Sequence, residues 1–279
     1  MLSYRHAFHA GNHADVLKHV VLLHLLEYLG RKDKPFWVID THAGAGMYAL
    51  DQGYAQKNAE FMDGIARLYD RDDLPGALRD YVALVRSFNP SGVLQAYPGS
   101  PLIARSRLRT DDRLRLFELH PADHAVLQQH IAGDRKIRAE QIDGLSGLRA
   151  LLPPPPRRGL VLIDPSYEDK QDYVRVPQTV RDALRRFATG IYVVWYPLLS
   201  RTDPLRMVES LKRLGEDWLD VRLQVCRPAA DGFGMYGSGM FVLHPPWTLE
   251  AGLRAVMPCL ARVLGQDAGA GFTIDAQTA

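Results

Sequence analysis

One stretch of this chain limits its fold more than any other. Leu160, Val161, Leu162 and Ile163 follow Gly159 and run straight into Asp164, Pro165, Ser166 and Tyr167. Consecutive apolar residues without alternation suit a strand buried on both faces, as in a sheet covered by helices on each side. Pro165 has no N–H with which to extend a ladder, so the strand ends there. The Asp164 carboxylate is thereby presented at the carboxyl end of a central strand, where open α/β sheets bind ligands. Tyr167 follows closely enough to lay its ring beside whatever Asp164 holds. A carboxylate, the Pro165 carbonyl and an aromatic face together suit a flat heterocycle with an exocyclic amine.

Three further strand ends carry polar groups. Phe36–Asp40 reads as the first strand and runs into Thr41-His42-Ala43-Gly44-Ala45-Gly46, a glycine turn that lets a ligand approach the backbone. Gly44, Gly46 and Ala49 fit G-x-G-x-x-A, a pattern shared with dinucleotide folds. A nicotinamide enzyme would place an acid about 20 residues later, at the tip of a second strand, yet the sequence there is helical. The second strand is delayed to Leu114–Glu118, and Glu118 is the acid at its tip, suited to accept ribose hydroxyls. Lys136–Gln141 is a short third strand leading to Asp143-Gly144, an acceptor and a backbone donor for an adenine edge; Asp143 also fits the N-cap of the helix that follows. Ser100-Pro101 reads as the N-cap and first position of another helix, where free N–H groups receive a carboxylate. His42 and Ser100 would border the methionyl part of a nucleoside-bearing cofactor, and Asp164 would meet the second substrate.

Between the glycine turn and the second strand, Phe61, Ile65 and Leu68, then Leu78, Val82 and Val85, recur at helical spacing, with a break at Asp70–Pro75. Residues 53–95 are read as an inserted helical subdomain ending at Asn89-Pro90-Ser91-Gly92, either overhanging the site or decorating the fold. Residues 1–52 and 96–279 would form the main domain. In its later part, helices are expected over Gln178–Phe187, Pro204–Leu214 and Leu249–Leu264, a strand over Ile191–Trp195, and an antiparallel pair over Leu219–Val225 and Gly239–Leu243. The glycine-rich Asp231–Ser238 reads as a loop near the substrate. No element is assigned after Gly265. At the other end Ala14–Tyr28 reads as a helix. The residues before it, including Tyr4, His6 and His9, read as a polar lip with Tyr4 as a stacking ring. His9, His13 and His19 lack the cysteine or carboxylate cluster that would complete a metal site, so no metal is expected.

Composition adds little that discriminates. The formal net charge is +2, but arginines cluster at Arg105, Arg107 and Arg109, at Arg157 and Arg158, and at Arg181, Arg185 and Arg186. Such clusters either bind phosphates or form solvated helix faces. Cys226 and Cys259 give neither a disulfide framework nor zinc spacing. The sequence carries no signal-peptide core or transmembrane run, so a cytoplasmic protein without a membrane partner is expected.

Asp164–Tyr167 resembles the Asp/Asn-Pro-Pro-Tyr motif of S-adenosylmethionine-dependent amino-methyltransferases, with Ser166 where that motif has its second proline. The likeness extends along nearly the whole chain. Tyr4-Arg5-His6-x-Phe8-His9-Ala10-Gly11-Asn12-His13-Ala14-Asp15-Val16-Leu17-Lys18-His19, Asp40 through Gly46, Tyr97-Pro98-Gly99-Ser100-Pro101 and Phe187 through Tyr192 resemble the RlmJ family of ribosomal RNA large-subunit methyltransferases. That resemblance implies a Rossmann-like methyltransferase fold with a seven-stranded mixed sheet and a helical insertion. It implies N6-methylation of a single adenine in 23S rRNA, of the adenine 2030 type, on RNA free of ribosomal proteins, by an enzyme expected to be a monomer. Carried over by position, His19, His42, Ser100, Glu118, Asp143, Gly144 and Asp164 contact S-adenosyl-L-methionine, Asp164 is catalytic and Tyr4 contacts the RNA. Gly44 and Gly46 join the cofactor set, and Pro165 and Tyr167 the substrate set, from the turn and strand-end readings. Competing readings are a DNA adenine N6-methyltransferase, a glutamine-side-chain methyltransferase, a nicotinamide-dependent oxidoreductase and a catalytically inactive RNA-binding module.

Overall fold

The computed structural model describes residues 6–51, 59–215 and 217–278. Its centre is a sheet of eight strands. In chain order these are β1 (Trp37–Asp40), β4 (Arg113–Phe117), β5 (Ile137–Glu140), β6 (Gly159–Ile163), β7 (Ile191–Leu198), β8 (Trp218–Gln224), β9 (Gly237–Leu243) and β10 (Gly271–Gln277). A hairpin of β2 (Met47–Ala49) and β3 (Ala96–Pro98) stands apart. Across the main sheet the order is β5-β4-β1-β6-β7-β9-β8-β10. The first five run parallel, and β9, β8 and β10 are joined antiparallel. The chain leaves β1 toward β4 and β5, then returns to β6 on the other flank. The β1–β6 boundary is therefore the topological switch point, where a crevice opens at the strand carboxyl ends.

The expected seven strands become eight because Gly271–Gln277 pairs along the whole of β8. Its pattern is an alternation of Phe272, Ile274 and Ala276 with polar neighbours, as an edge strand requires. Ile274 packs on the core, whereas Phe272 is partly exposed.

Both faces of the sheet are covered, and side-chain alternation assigns each residue to a face. On one side Val38, Leu160, Leu162, Ile191 and Val193 join the core built with α1 (His13–Gly30) and the C-terminal helix (Thr248–Leu264). On the other, Ile39, Val161, Ile163, Tyr192 and Val194 pack with α6 (Gly144–Leu151), α7 (Asp172–Arg186) and α8 (Asp203–Lys212). The C-terminal helix is α9. Two more helices, α4 (Ser100–Arg105) and α5 (Pro121–Ile131), flank β4. The helix expected from Gln178 starts earlier, at Asp172, and carries Pro177 inside it. One backbone bond is forgone there, while buried Tyr173, Val176 and Val180 hold the first turns to the sheet.

The β2–β3 hairpin brings the two ends of the segment between them together, and the Leu50 N–H donates to the Gln95 carbonyl at 2.8 Å. Within that segment are a single turn, α2 (Ala66–Tyr69), and α3 (Gly76–Ser87). Leu78, Tyr81, Val82 and Val85 of α3 are buried in the same core as α1 and α9.

Candidate active site

Every strand tip at the switch point ends in a group the fold holds in place. After β1 the chain turns at Thr41, whose N–H donates to the Leu162 carbonyl at 3.0 Å, locking β1 to β6. Gly44 and Gly46 then adopt φ of +62° and +83°, conformations that cost a side-chain-bearing residue. At Gly44 there is also no room, since a Cβ would fall 2.1 Å from the Tyr48 hydroxyl. The Gly44 N–H donates to Glu118 Oε2 at 2.8 Å, and the His120 N–H to Oε1 at 2.7 Å. Glu118 is thus fixed across the β1 and β4 tips, each oxygen keeping a lone pair for a ligand. Burial raises its pKa.

Asp40, at the end of β1, is 2% exposed. Burial pushes its carboxyl up to about 6, against hydrogen bonds from Ser100 and His42 that lower it. Those bonds run from Ser100 Oγ to Oδ2 at 2.6 Å and from the His42 N–H to Oδ1 at 3.1 Å. Ser100 does not cap α4 as expected: Gly99 is the N-cap and Ser100 the first helical residue, and the Ser100 hydroxyl donates to the buried Asp40 carboxylate.

Asp143 does cap its helix, accepting from the Leu145 N–H at 3.0 Å. Its other oxygen faces Ser146 Oγ and the Arg175 guanidinium. Partial burial raises its pKa, but the Arg175 contacts outweigh this and hold it below the usual range. Gly144 lies so close to Thr41 that a Cβ would meet the Thr41 carbonyl oxygen at 2.0 Å. His42 Nδ1 is 2.8 Å from Thr41 Oγ1, and burial lowers its pKa to about 4, so the ring is neutral.

These groups enclose a cavity of about 820 Å³. His19, His42, Gly44, Ser100, Glu118, Asp143, Gly144, Asp164 and Pro165 line it; Gly46 does not, and serves the turn. A second cavity of about 220 Å³ adjoins it, walled by Tyr167, Tyr173, Trp195, Pro197 and Met235. His6, Lys18, Asp164 and Ser166 face both. Tyr167 is 2% exposed and sits at φ +55°, a conformation costing about 1–3 kcal/mol for a bulky residue. Its ring stacks on Tyr173 at 4.5 Å, and its hydroxyl donates to the Trp195 carbonyl at 2.7 Å. The Tyr167 side chain is thus a fixed wall of the smaller cavity.

Asp164 stands in the partition between the cavities, and its partner comes from α1. Lys18 Nζ donates to Asp164 Oδ2 at 2.6 Å and lies 2.8 Å from Asp15 Oδ1. Asp15 in turn accepts from the Gly11 N–H and contacts His6 Nε2, each at 2.9 Å. Lys18 and Asp15 are 4% and 2% exposed. Burial works against the Lys18 charge, yet the two carboxylates carry its pKa well above the usual lysine value. For Asp164, burial prevails over Lys18 and raises the pKa. Sequence reasoning assigned no role in the site to Lys18, Asp15 or Asp40. A lysine and an aspartate three apart in a helix rich in Val and Leu were the available signal, since such groups are buried only when paired.

Tyr4 lies outside the described residues. Of the three histidines His9, His13 and His19, His9 contacts Glu60 at 2.9 Å and His19 the Tyr97 hydroxyl at 2.7 Å, while His13 Nδ1 is buried without a hydrogen-bond partner among the described residues.

A family model described as "Ribosomal RNA large subunit methyltransferase D, RlmJ" matches residues 33–275. The chain belongs to this family. Ribosomal RNA large subunit methyltransferase J of Escherichia coli (strain K12) is 50% identical over 261 residues, 93% of each chain. The Haemophilus influenzae (strain ATCC 51907) protein of the same name is 44% identical over 277 residues, 99% of this chain and 98% of that one. A crystal structure of a protein from Legionella pneumophila superposes with a TM-score of 0.90 at 34% identity, covering 96% of this chain and 98% of the other. As an RlmJ-family member the chain is a methyltransferase, and its methyl donor is S-adenosyl-L-methionine. The larger cavity fits that donor: a glycine turn that excludes side chains, an acid at the β4 tip, and a buried His19 Nε2 without a partner among the described residues.

Proposed function

We propose that this protein methylates the N6 amine of one adenine in 23S rRNA, of the adenine 2030 type, taken as RNA not yet covered by ribosomal proteins. The observation carrying this reading is the place of Asp164, in the partition between a donor-sized cavity and a small aromatic one. When bound in the larger cavity, the donor supplies a methyl group on a sulfonium, open to in-line attack.

The residues divide as follows. Glu118 holds the ribose, Asp143 and Gly144 border the adenine of the donor, and His19, His42 and Ser100 border its methionyl end, with Gly44 and Gly46 shaping the turn. The target base enters the smaller cavity between Tyr167 and the N-terminal residues, its amine toward Asp164 and the Pro165 carbonyl. Tyr4 contacts the RNA. An adenine amine is flat because its lone pair is delocalised into the ring; two acceptors draw its hydrogens aside and favour a lone pair directed at the methyl group. Most of the acceleration then comes from positioning and electrostatics. Asp164 Oδ2 is engaged by Lys18, leaving Oδ1 to accept from the amine. With Lys18 beside it, the carboxylate orients the amine more than it drives the attack as a base, and the proton that the methylated nitrogen sheds passes to Asp164 after transfer. Residues 53–95 form an inserted helical subdomain of the domain made by 1–52 and 96–279, and the enzyme works as a cytoplasmic monomer.

Incubating 23S rRNA fragments and duplex DNA with donor and enzyme, followed by nucleoside mass spectrometry, tests the reading. N6-methyladenosine at one site in RNA is expected. Methylation of DNA alone, or of another atom, would replace it.

A further inference from the structure

Behind the donor cavity lies a buried polar chain, of which the reaction as described uses only the end residue, His19. Tyr81 on α3, Tyr97 on β3 and His19 on α1 are each 0% exposed. The Tyr81 and Tyr97 hydroxyls are 2.8 Å apart, and the Tyr97 hydroxyl is 2.7 Å from His19 Nδ1. His19 lines the donor cavity, and its Nε2 is fully buried with no partner among the described residues. Burial lowers the His19 pKa to about 3, so the ring is neutral and carries one proton, on one nitrogen or the other.

Hydrogen-bond accounting decides which. If Nδ1 held the proton, it would donate to Tyr97, Tyr97 would donate to Tyr81, and the Tyr81 O–H would be left without an acceptor among the described residues. In the opposite direction Tyr81 donates to Tyr97 and Tyr97 donates to Nδ1. Both hydroxyl hydrogens are then used, and the ring proton lies on Nε2, the single donor left over and the one on the residue that lines the donor cavity. The first arrangement instead leaves both the Tyr81 O–H and the Nε2 lone pair without a partner among the described residues. Buried polar groups take the arrangement that satisfies them.

Resting on the reading of the larger cavity as the donor site, we propose that Tyr97 fixes the tautomer of His19, so that Nε2–H is held ready to donate to the carboxylate of the methyl donor. Tyr97 is a positioning residue, acting through His19, and Tyr81 orients the Tyr97 hydroxyl. A neutral donor preset by two tyrosines suits an anionic group without needing a proton from solvent. The other tautomer would face the carboxylate with a lone pair.

Two measurements test this. In the donor-free wild-type protein, nitrogen-15 NMR of His19, assigned by its loss in His19→Asn, should show a protonated Nε2 and an unprotonated Nδ1. By calorimetry, Tyr97→Phe should weaken S-adenosylhomocysteine about tenfold, equivalent to about 1.4 kcal/mol. It should change methylthioadenosine, which lacks the amino-acid carboxylate, by less than about twofold, on the order of 0.4 kcal/mol by the same relation. Equal weakening of both ligands, no weakening of either, or a proton on Nδ1 overturns the inference. If the variant does not fold, the NMR result on the wild type decides alone. Failure of the wild type to bind either ligand would instead remove the donor-site reading on which the inference rests.

Discussion

Replacing Lys18 by methionine keeps the length and apolar stem of the side chain and removes the charge between two buried carboxylates. Asp15 retains the Gly11 N–H and His6 as partners. Asp164 retains none of its side-chain hydrogen bonds among the described residues, because Lys18 supplies the one it makes. Removing one partner of a buried pair costs about 3–5 kcal/mol, and that cost is felt most at the alkaline end, where the ionised carboxylate is most favoured. The pH dependence follows from proton counting. Burial already raises the Asp164 pKa against the opposing effect of Lys18, so without the lysine it rises further. A carboxylate whose folded pKa exceeds its unfolded value binds more protons when folded, so its destabilising effect grows as pH rises and fades as pH falls. Lys18 itself, with its pKa raised, contributes its stabilisation at all pH values below the ordinary lysine range. Urea unfolding of wild type and Lys18→Met at pH 5, 6.5 and 8 should therefore show a gap that widens with pH. A gap under about 1 kcal/mol at pH 8, or one that narrows with pH, would refute the reading of Lys18 as the charge partner of Asp164.

Other substitutions separate neighbouring roles. Gly44→Ala puts a methyl group where the Tyr48 hydroxyl sits and forces alanine to φ +62°; a loss of at least about tenfold in donor affinity is expected from the displaced turn, roughly 1.4 kcal/mol, and calorimetry giving wild-type affinity would contradict it. Tyr167→Phe removes the bond to the Trp195 carbonyl but leaves the wall of the smaller cavity, so a stability loss of about 1 kcal/mol with methyl transfer largely retained is the expected pair of results. Loss of transfer at unchanged stability would place the hydroxyl in the chemistry. Deleting residues 266–279 strips β10 from β8 and bares an edge that invites association, so size-exclusion chromatography should show aggregation; a well-behaved monomer would argue against it.

The parallel half of the sheet and its strand tips were legible because buried strands leave apolar runs and their ends leave Gly, Asp or Glu. Glu118, Asp143 and Asp164 converge on the cavity for that reason. Less could be read where a residue's partner lies far off in sequence. Ser100 looks like a helix cap, but Gly99 is the cap and the Ser100 hydroxyl serves Asp40, 60 residues away. Lys18 meets Asp164 across 146 positions, and no local pattern announces such a pairing. The final strand went unread because its alternation is short and half exposed, and α7 starts at Asp172 rather than at the expected Gln178, with Pro177 an interior residue.

The central claim, that Asp164 holds the target amine in front of the donor, is tested most directly by single-turnover methyl transfer to 23S rRNA with Asp164→Ala, alongside calorimetric titration of the donor into the same preparation. A fall in rate of about 100-fold or more, on the order of 2.7 kcal/mol in the barrier, with donor affinity changed by less than about threefold, roughly 0.7 kcal/mol, is the predicted result. Transfer at the wild-type rate would contradict it.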